Sequence, residues 1–161
     1  MRAKACSTST KMSIFFPIIA VLVVLADQAS KAWITNNLSP GQSIPLGIIL
    51  ITYVRNSGAA FGLLANQNLL IIFAVLVGVA AIILYYAYPP FQTIWIRISM
   101  GLLLGGAVGN LIDRLRYGFV VDFIDLRVWP VFNVADSAIT TGICLLAYYL
   151  LFRASKTKTC S

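Results

Sequence analysis

Five acidic residues occur in this chain of 161, all of them aspartates, and each lies beside a long apolar run or between two of them. Asp27 closes the first run, Asp113 follows another, Asp136 precedes the last, and Asp122 and Asp125 fall between. A carboxylate beside a membrane span is costly to bury and so is read as part of a site. The sequence has no histidine, the usual base of a serine triad and a usual ligand of hydrolytic zinc. An aspartate pair is the simplest remaining chemistry. Two neighbouring carboxylates do not readily ionise together, so one keeps a proton. The ionised member takes a proton from water; the protonated member polarises a carbonyl and then donates to the leaving group. No metal, cofactor or covalent intermediate is required.

Asp122 and Asp136 are the best pair. Each sits at a transition between loop and span, and a connection of thirteen residues can bring them together. Asp113 precedes Arg114, with Arg116 close, and is better suited to anchoring that connection. Asp125 lies past Phe123-Ile124 and is expected to face water. Asp27 and Lys31 are four residues apart, on one helix face and in the favourable order for an ion pair that scaffolds the site. Asn56, Asn110 and Asn133 can orient carbonyls or hold the pair, and Arg114 can attract a headgroup or lock a loop by a salt bridge. Asp136 has a second reading as a helix cap, because it falls at the third helical position after Asn133. On residues alone, aspartates of this kind could also bind a cation or relay protons. A noncatalytic subunit docking through a glycine stripe is a further alternative.

These residues need elements to position them. Sixty per cent of the chain is hydrophobic and 11% charged, with the apolar residues in long stretches, as in a polytopic membrane protein. The expected fold is membrane all-α: a four-transmembrane-helix bundle with a small extracytoplasmic β-rich cap. Spans are expected at about 14–33, 69–88, 93–113 and 133–152. Pro17 is tolerable in the first turn of the first. Residues 34–66 form the cap subregion of a single domain covering 1–161. There, Pro40, Gly41, Pro45 and Gly47 punctuate the start, Ile48–Val54 reads as a strand, and Gly58, Ala59 and Ala60 permit close backbone approach. Val120–Ile124 forms a brief extended segment. Tyr85, Tyr86 and Tyr88 mark an interface, followed by a turn at Pro89-Pro90. Gly101, Gly105 and Gly109 are spaced one turn apart, so a packing stripe runs down the third span.

The net charge of +7 does not point to nucleic acid, because the basic residues are split between the termini and the loops. Arg2, Lys4 and Lys11 precede the first span; Arg153, Lys156 and Lys158 follow the last. Both groups fit cytoplasmic anchors, with membrane lipids as partners. Four spans then gather the polar residues near the outer leaflet. Cys6, Cys144 and Cys160 make no metal spacing, and no structural disulfide is expected. The first apolar run lacks a convincing cleavage site and is expected to remain as a span.

Five blocks in order carry a family resemblance. They are Asp27-Gln28-Ala29-Ser30-Lys31, Arg55-Asn56-Ser57-Gly58-Ala59-Ala60-Phe61, Gly109-Asn110-Leu111-Ile112-Asp113-Arg114, Val121-Asp122-Phe123-Ile124 and Phe132-Asn133-Val134-Ala135-Asp136-Ser137. Together they resemble bacterial lipoprotein signal peptidase, or signal peptidase II, over almost the whole chain. The resemblance implies an aspartic endopeptidase with Asp122 and Asp136 as its dyad. It implies supporting roles for Asp27, Lys31, Asn56, Gly58, Asn110, Arg114 and Asn133, and a structural one for Asp113. The implied substrate is a diacylglyceryl-modified prolipoprotein, cut immediately before the lipidated cysteine in the bacterial inner membrane. No metal or cofactor is implied, and one chain contains the entire inferred site, so a monomer is expected to function. The connection between Asp122 and Asp136 is at the compact end for such proteins.

Overall fold

A computed structural model describes residues 14–58, 67–87 and 93–153. Four helices, α1 (Phe15–Asn37), α2 (Asn68–Ala87), α3 (Ile94–Tyr117) and α4 (Val134–Phe152), are each long and apolar enough to cross a bilayer. The chain is a multi-pass membrane protein with the expected four-helix bundle and a small sheet at one end. The double proline, Tyr88, Ala59–Gly62 and the tails with Arg2, Lys4, Lys11, Lys156, Lys158, Cys6 and Cys160 lie outside the described residues. Cys144 is exposed on α4.

The helix α3 is central and packs against α1, α4 and α2. Its glycines make this possible. A Cβ at Gly105 would stand 2.7 Å from the Ala20 carbonyl oxygen of α1, and one at Gly106 2.5 Å from the Ala135 oxygen of α4. A Cβ at Gly109 would stand 2.7 Å from Asp27 Oδ2. The stripe therefore serves close backbone approach on two faces, as in other small-residue membrane interfaces. Two helices outrun their expected ends. The extra turn of α1 carries Ile34 into a core with Leu38, Tyr53, Val121 and Phe123. The helix α3 continues past Asp113 until Gly118, whose φ of 77° and N–H bond to the Arg114 carbonyl form a left-handed cap.

The sheet is antiparallel in the order β1 (Ser43–Leu46), β2 (Ile49–Asn56), β3 (Val120–Asp125). The cap thus draws one strand from outside 34–66, the segment read as extended in sequence. Pro45 is tolerated because β1 is an edge. Between β2 and β3 the register runs Ile51↔Ile124 and then Val54↔Asp122, so Thr52 and Tyr53 together oppose Phe123. This bulge is decisive for the site. An unbroken register would set Tyr53 opposite Asp122 and send Asn56, three residues on, to the other face. With the bulge, Val54 opposes Asp122, and Asn56 shares its face.

Candidate active site

Asp122, on β3, is 1% exposed, with Val121 and Phe123 on either side of it in the core. Asp136 belongs to the first turn of α4. Both line one cavity of ≈ 630 Å³ together with Asn56, Gly58, Asn110 and Arg114. All four oxygens of the two carboxylates accept a hydrogen bond. Asp122 Oδ1 accepts from Asn133 Nδ2 at 2.6 Å and Oδ2 from Asn56 Nδ2 at 2.9 Å. Asp136 Oδ1 accepts from Asn110 Nδ2 at 2.7 Å and Oδ2 from the Asn133 backbone N–H at 3.3 Å.

Each carboxamide is turned by a donor on its far side. The Oδ1 of Asn56 accepts from the Gly58 N–H at 3.0 Å, that of Asn133 from the Asp136 N–H at 2.9 Å, and that of Asn110 from Lys31 Nζ at 3.0 Å. Backbone amides and ammonium groups only donate, so these oxygens must face them and the NH2 groups must face the aspartates. The reciprocal bonds of Asn133 and Asp136 form a capping box. Capping and membership of the pair are therefore compatible roles for Asp136, not alternatives.

Behind this frame lies a buried ion network. Lys31 Nζ meets Asp27 Oδ2 at 2.8 Å and Asp113 Oδ2 at 2.9 Å. With Asn110, these occupy its three donors. Asp27 also accepts the Ala135 N–H at 2.9 Å, tying α1 to the first turn of α4. Asp113 accepts the Val121 N–H at 3.1 Å and so anchors the strand bearing Asp122. Gln28, read in sequence only as part of a motif, bridges the two carboxylates: its Nε2 lies 3.2 Å from Asp27 Oδ2, 3.0 Å from Asp113 Oδ1 and 3.2 Å from the Gly109 carbonyl. Its place directly after Asp27 was the only sequence signal.

Arg114 does lock a loop, through hydrogen bonds rather than a salt bridge. Nη2 donates to the Gly58 carbonyl at 2.8 Å and Nη1 to Asn68 Oδ1 at 3.3 Å. Asn68 was not foreseen, and its position at the start of α2 gave little sign. Asp125 stands apart and is half-buried, accepting from Thr52 Oγ1 at 3.1 Å and the Arg127 N–H at 2.7 Å.

Burial pushes the Asp122 carboxyl from its ordinary 3.8 up to about 7; the Asn56 hydrogen bond opposes the rise, nearby Asp136 adds to it, and Asn133 and Lys31 pull the other way. A carboxyl that exchanges its proton near neutrality, beside a second carboxylate in a cavity, is equipped for acid–base work. No cluster of three or more metal-ligating acids or cysteines occurs among the described residues.

A bundle of four spans with two carboxylates facing one cavity is the architecture of a membrane aspartic protease. The sequence comparisons identify which kind. A family model described as Signal peptidase (SPase) II matches residues 19–152, and the chain belongs to that family. A lipoprotein signal peptidase of Moorella thermoacetica is 51% identical over 144 residues, covering 88% of this chain and 95% of its own. One from Clostridioides difficile is 44% identical over 146 residues, covering 88% and 97%. A solved bacterial membrane enzyme superposes with a TM-score of 0.84 at 33% identity, over 89% of this chain and 92% of that one.

Proposed function

We propose that the chain is a lipoprotein signal peptidase in which Asp122 and Asp136 are the catalytic dyad, sharing one proton. The substrate is a diacylglyceryl-modified prolipoprotein in the bacterial inner membrane, cut immediately before the lipidated cysteine. The observation that carries the dyad is the frame of three oriented carboxamides, which directs an N–H to three of the four carboxylate oxygens. The ionised aspartate takes a proton from a water molecule, whose oxygen attacks the scissile carbonyl carbon. The protonated aspartate donates toward the carbonyl oxygen, stabilising the tetrahedral intermediate. A proton then passes to the leaving nitrogen as the C–N bond breaks. Asn56, Asn110 and Asn133 hold the pair, Gly58 and Arg114 shape the wall, and Asp27, Lys31 and Asp113 brace it from behind. No cofactor enters this scheme. Both termini face the cytoplasm, on the strength of their basic clusters, so the site meets the outer leaflet. The complete site lies within one bundle, and the monomer suffices.

The test is release of signal peptide from a diacylated prolipoprotein by purified protein with a chelator present. Wild type cleaves; Asp122→Asn and Asp136→Asn, still folded, lose about 10²–10⁴-fold of the rate, the range of general acid–base catalysis. Full activity in either variant would reject the dyad.

A further inference from the structure

Every serine and threonine of the described helices but one gives its hydroxyl to a backbone carbonyl of the preceding turn. Ser30 donates to Asp27 at 2.8 Å, Thr35 to Ala32 at 3.1 Å, Ser99 to Trp95 at 2.8 Å, Ser137 to Asn133 at 2.9 Å and Thr141 to Ser137 at 2.8 Å. A span satisfies its hydroxyls in this way where water is scarce. Thr140 is the exception: its Oγ1 has no hydrogen-bond partner among the described residues. The Asp136 carbonyl stands four residues before it, as the Ser137 carbonyl does for Thr141, so an acceptor at the usual spacing is not lacking. Thr140 is also placed where a free hydroxyl can be used. The small residues Ala135, Ala138 and Gly142 form the buried face of α4, whereas Asp136, Ile139 and Thr140 form an adjacent face that lines the catalytic cavity. Thr140 is exposed there.

Resting on the function proposed above, we infer that the Thr140 hydroxyl hydrogen-bonds the substrate backbone about two residues before the cleaved bond. A scissile bond buried in a helix is out of reach, so the end of the signal segment must be extended at the dyad. Its backbone groups then lose their helical partners at a depth where an unpaired amide is costly. The segment comes from within the bilayer, so it leaves the dyad in the direction that α4 takes from Asp136 to Thr140. That single helical turn is about 6 Å, which matches about two residues of extended chain. The other polar side chains that the helices bring to this wall are committed. Asn110 serves Asp136, Lys31 and Asn133, and Arg114 serves Gly58 and Asn68. Beyond the dyad itself, Thr140 is the helical side chain of the cavity with a hydrogen bond left to give.

The test pairs enzyme variants with substrate variants. Purified full-length protein is given a synthetic diacylated lipopeptide, and then three analogues in which one of the last three amides before the cleaved bond is an ester. An ester has no N–H and weakens the neighbouring carbonyl as an acceptor. On the all-amide substrate, Thr140→Val is expected to lower kcat/KM about tenfold, the worth of one hydrogen bond. Thr140→Ser keeps the hydroxyl and should stay within about twofold of wild type. Thr141→Val should match wild type, because that hydroxyl is engaged within its own helix. On one of the three esters, the second from the cut by the spacing above, the Thr140→Val penalty should shrink to under about twofold, since the contact is already gone. A Thr140→Val enzyme as fast as wild type on the amide substrate would overturn the contact. So would a penalty that stays the same on all three esters, because the hydroxyl would then act within the enzyme alone. Either result leaves the dyad standing, whereas no cleavage by folded wild type would overturn the dyad reading and this contact together.

Discussion

Asp122 gives the site its expected pH dependence. Its folded value of about 7 lies above the ordinary 3.8, so the proton is held below neutrality and released above it. A dyad needing one shared proton should lose kcat/KM as pH rises through about 7; a rate flat from pH 6 to 9 would remove Asp122 as the proton carrier. Lys31 carries a different burden. Replacing it with Met leaves Asp27 and Asp113 buried without their cation and frees Asn110 to rotate. Breaking a buried pair costs about 3–5 kcal/mol, a loss that thermal denaturation in detergent would register. An unchanged Tm would show that the two aspartates take up protons instead. Residue types and order singled out Asp122, Asp136, the three asparagines and the Asp27–Lys31 pair, which the fold brings together around one cavity and its backing. They did not reveal which way each carboxamide points, because that depends on donors brought from other elements. Gln28 and Asn68 escaped for the same reason: each acts through partners that only the fold supplies.

Among the elements, the spans were legible because long apolar runs leave little choice, whereas their ends were not. Tertiary packing of Ile34 extends α1, and α3 continues until Gly118 permits a left-handed turn. The bulge at Thr52 and Tyr53 was beyond sequence reading, since alternation along β2 does not disclose the register of its partner. The glycine stripe was legible as packing, but its two-sidedness was not. It yields a direct contrast. Gly106→Ala drives a Cβ to 2.5 Å from the Ala135 oxygen, whereas a Cβ at Gly78 of α2 meets nothing within 4 Å. Overpacking costs about 1–3 kcal/mol, so the first substitution should lower Tm and the second leave it nearly unchanged. Equal effects would mean that α3 and α4 separate readily.

For the whole molecule, topology is the property the sequence addresses most directly, through basic clusters in both tails. Cys6 and Cys160 are natural reporters. In intact spheroplasts a membrane-impermeant maleimide should spare both and label them once the membrane is opened; labelling of either beforehand would invert or break the proposed topology. The ion network also has a bearing on how such a chain comes to be assembled. Asp27 and Lys31 lie on the same helix, so α1 arrives in the bilayer with its charges already opposed. Asp113 finds its cation not in α3 but in that earlier helix, since Arg114 is turned toward Gly58 and Asn68. Synthesis from the N-terminus therefore delivers the ammonium before the carboxylate that depends on it, and order of manufacture matches order of neutralisation. Produced without α1, the second half of the protein would hold an orphan acid at the end of a span, and the first half would be its missing chaperone.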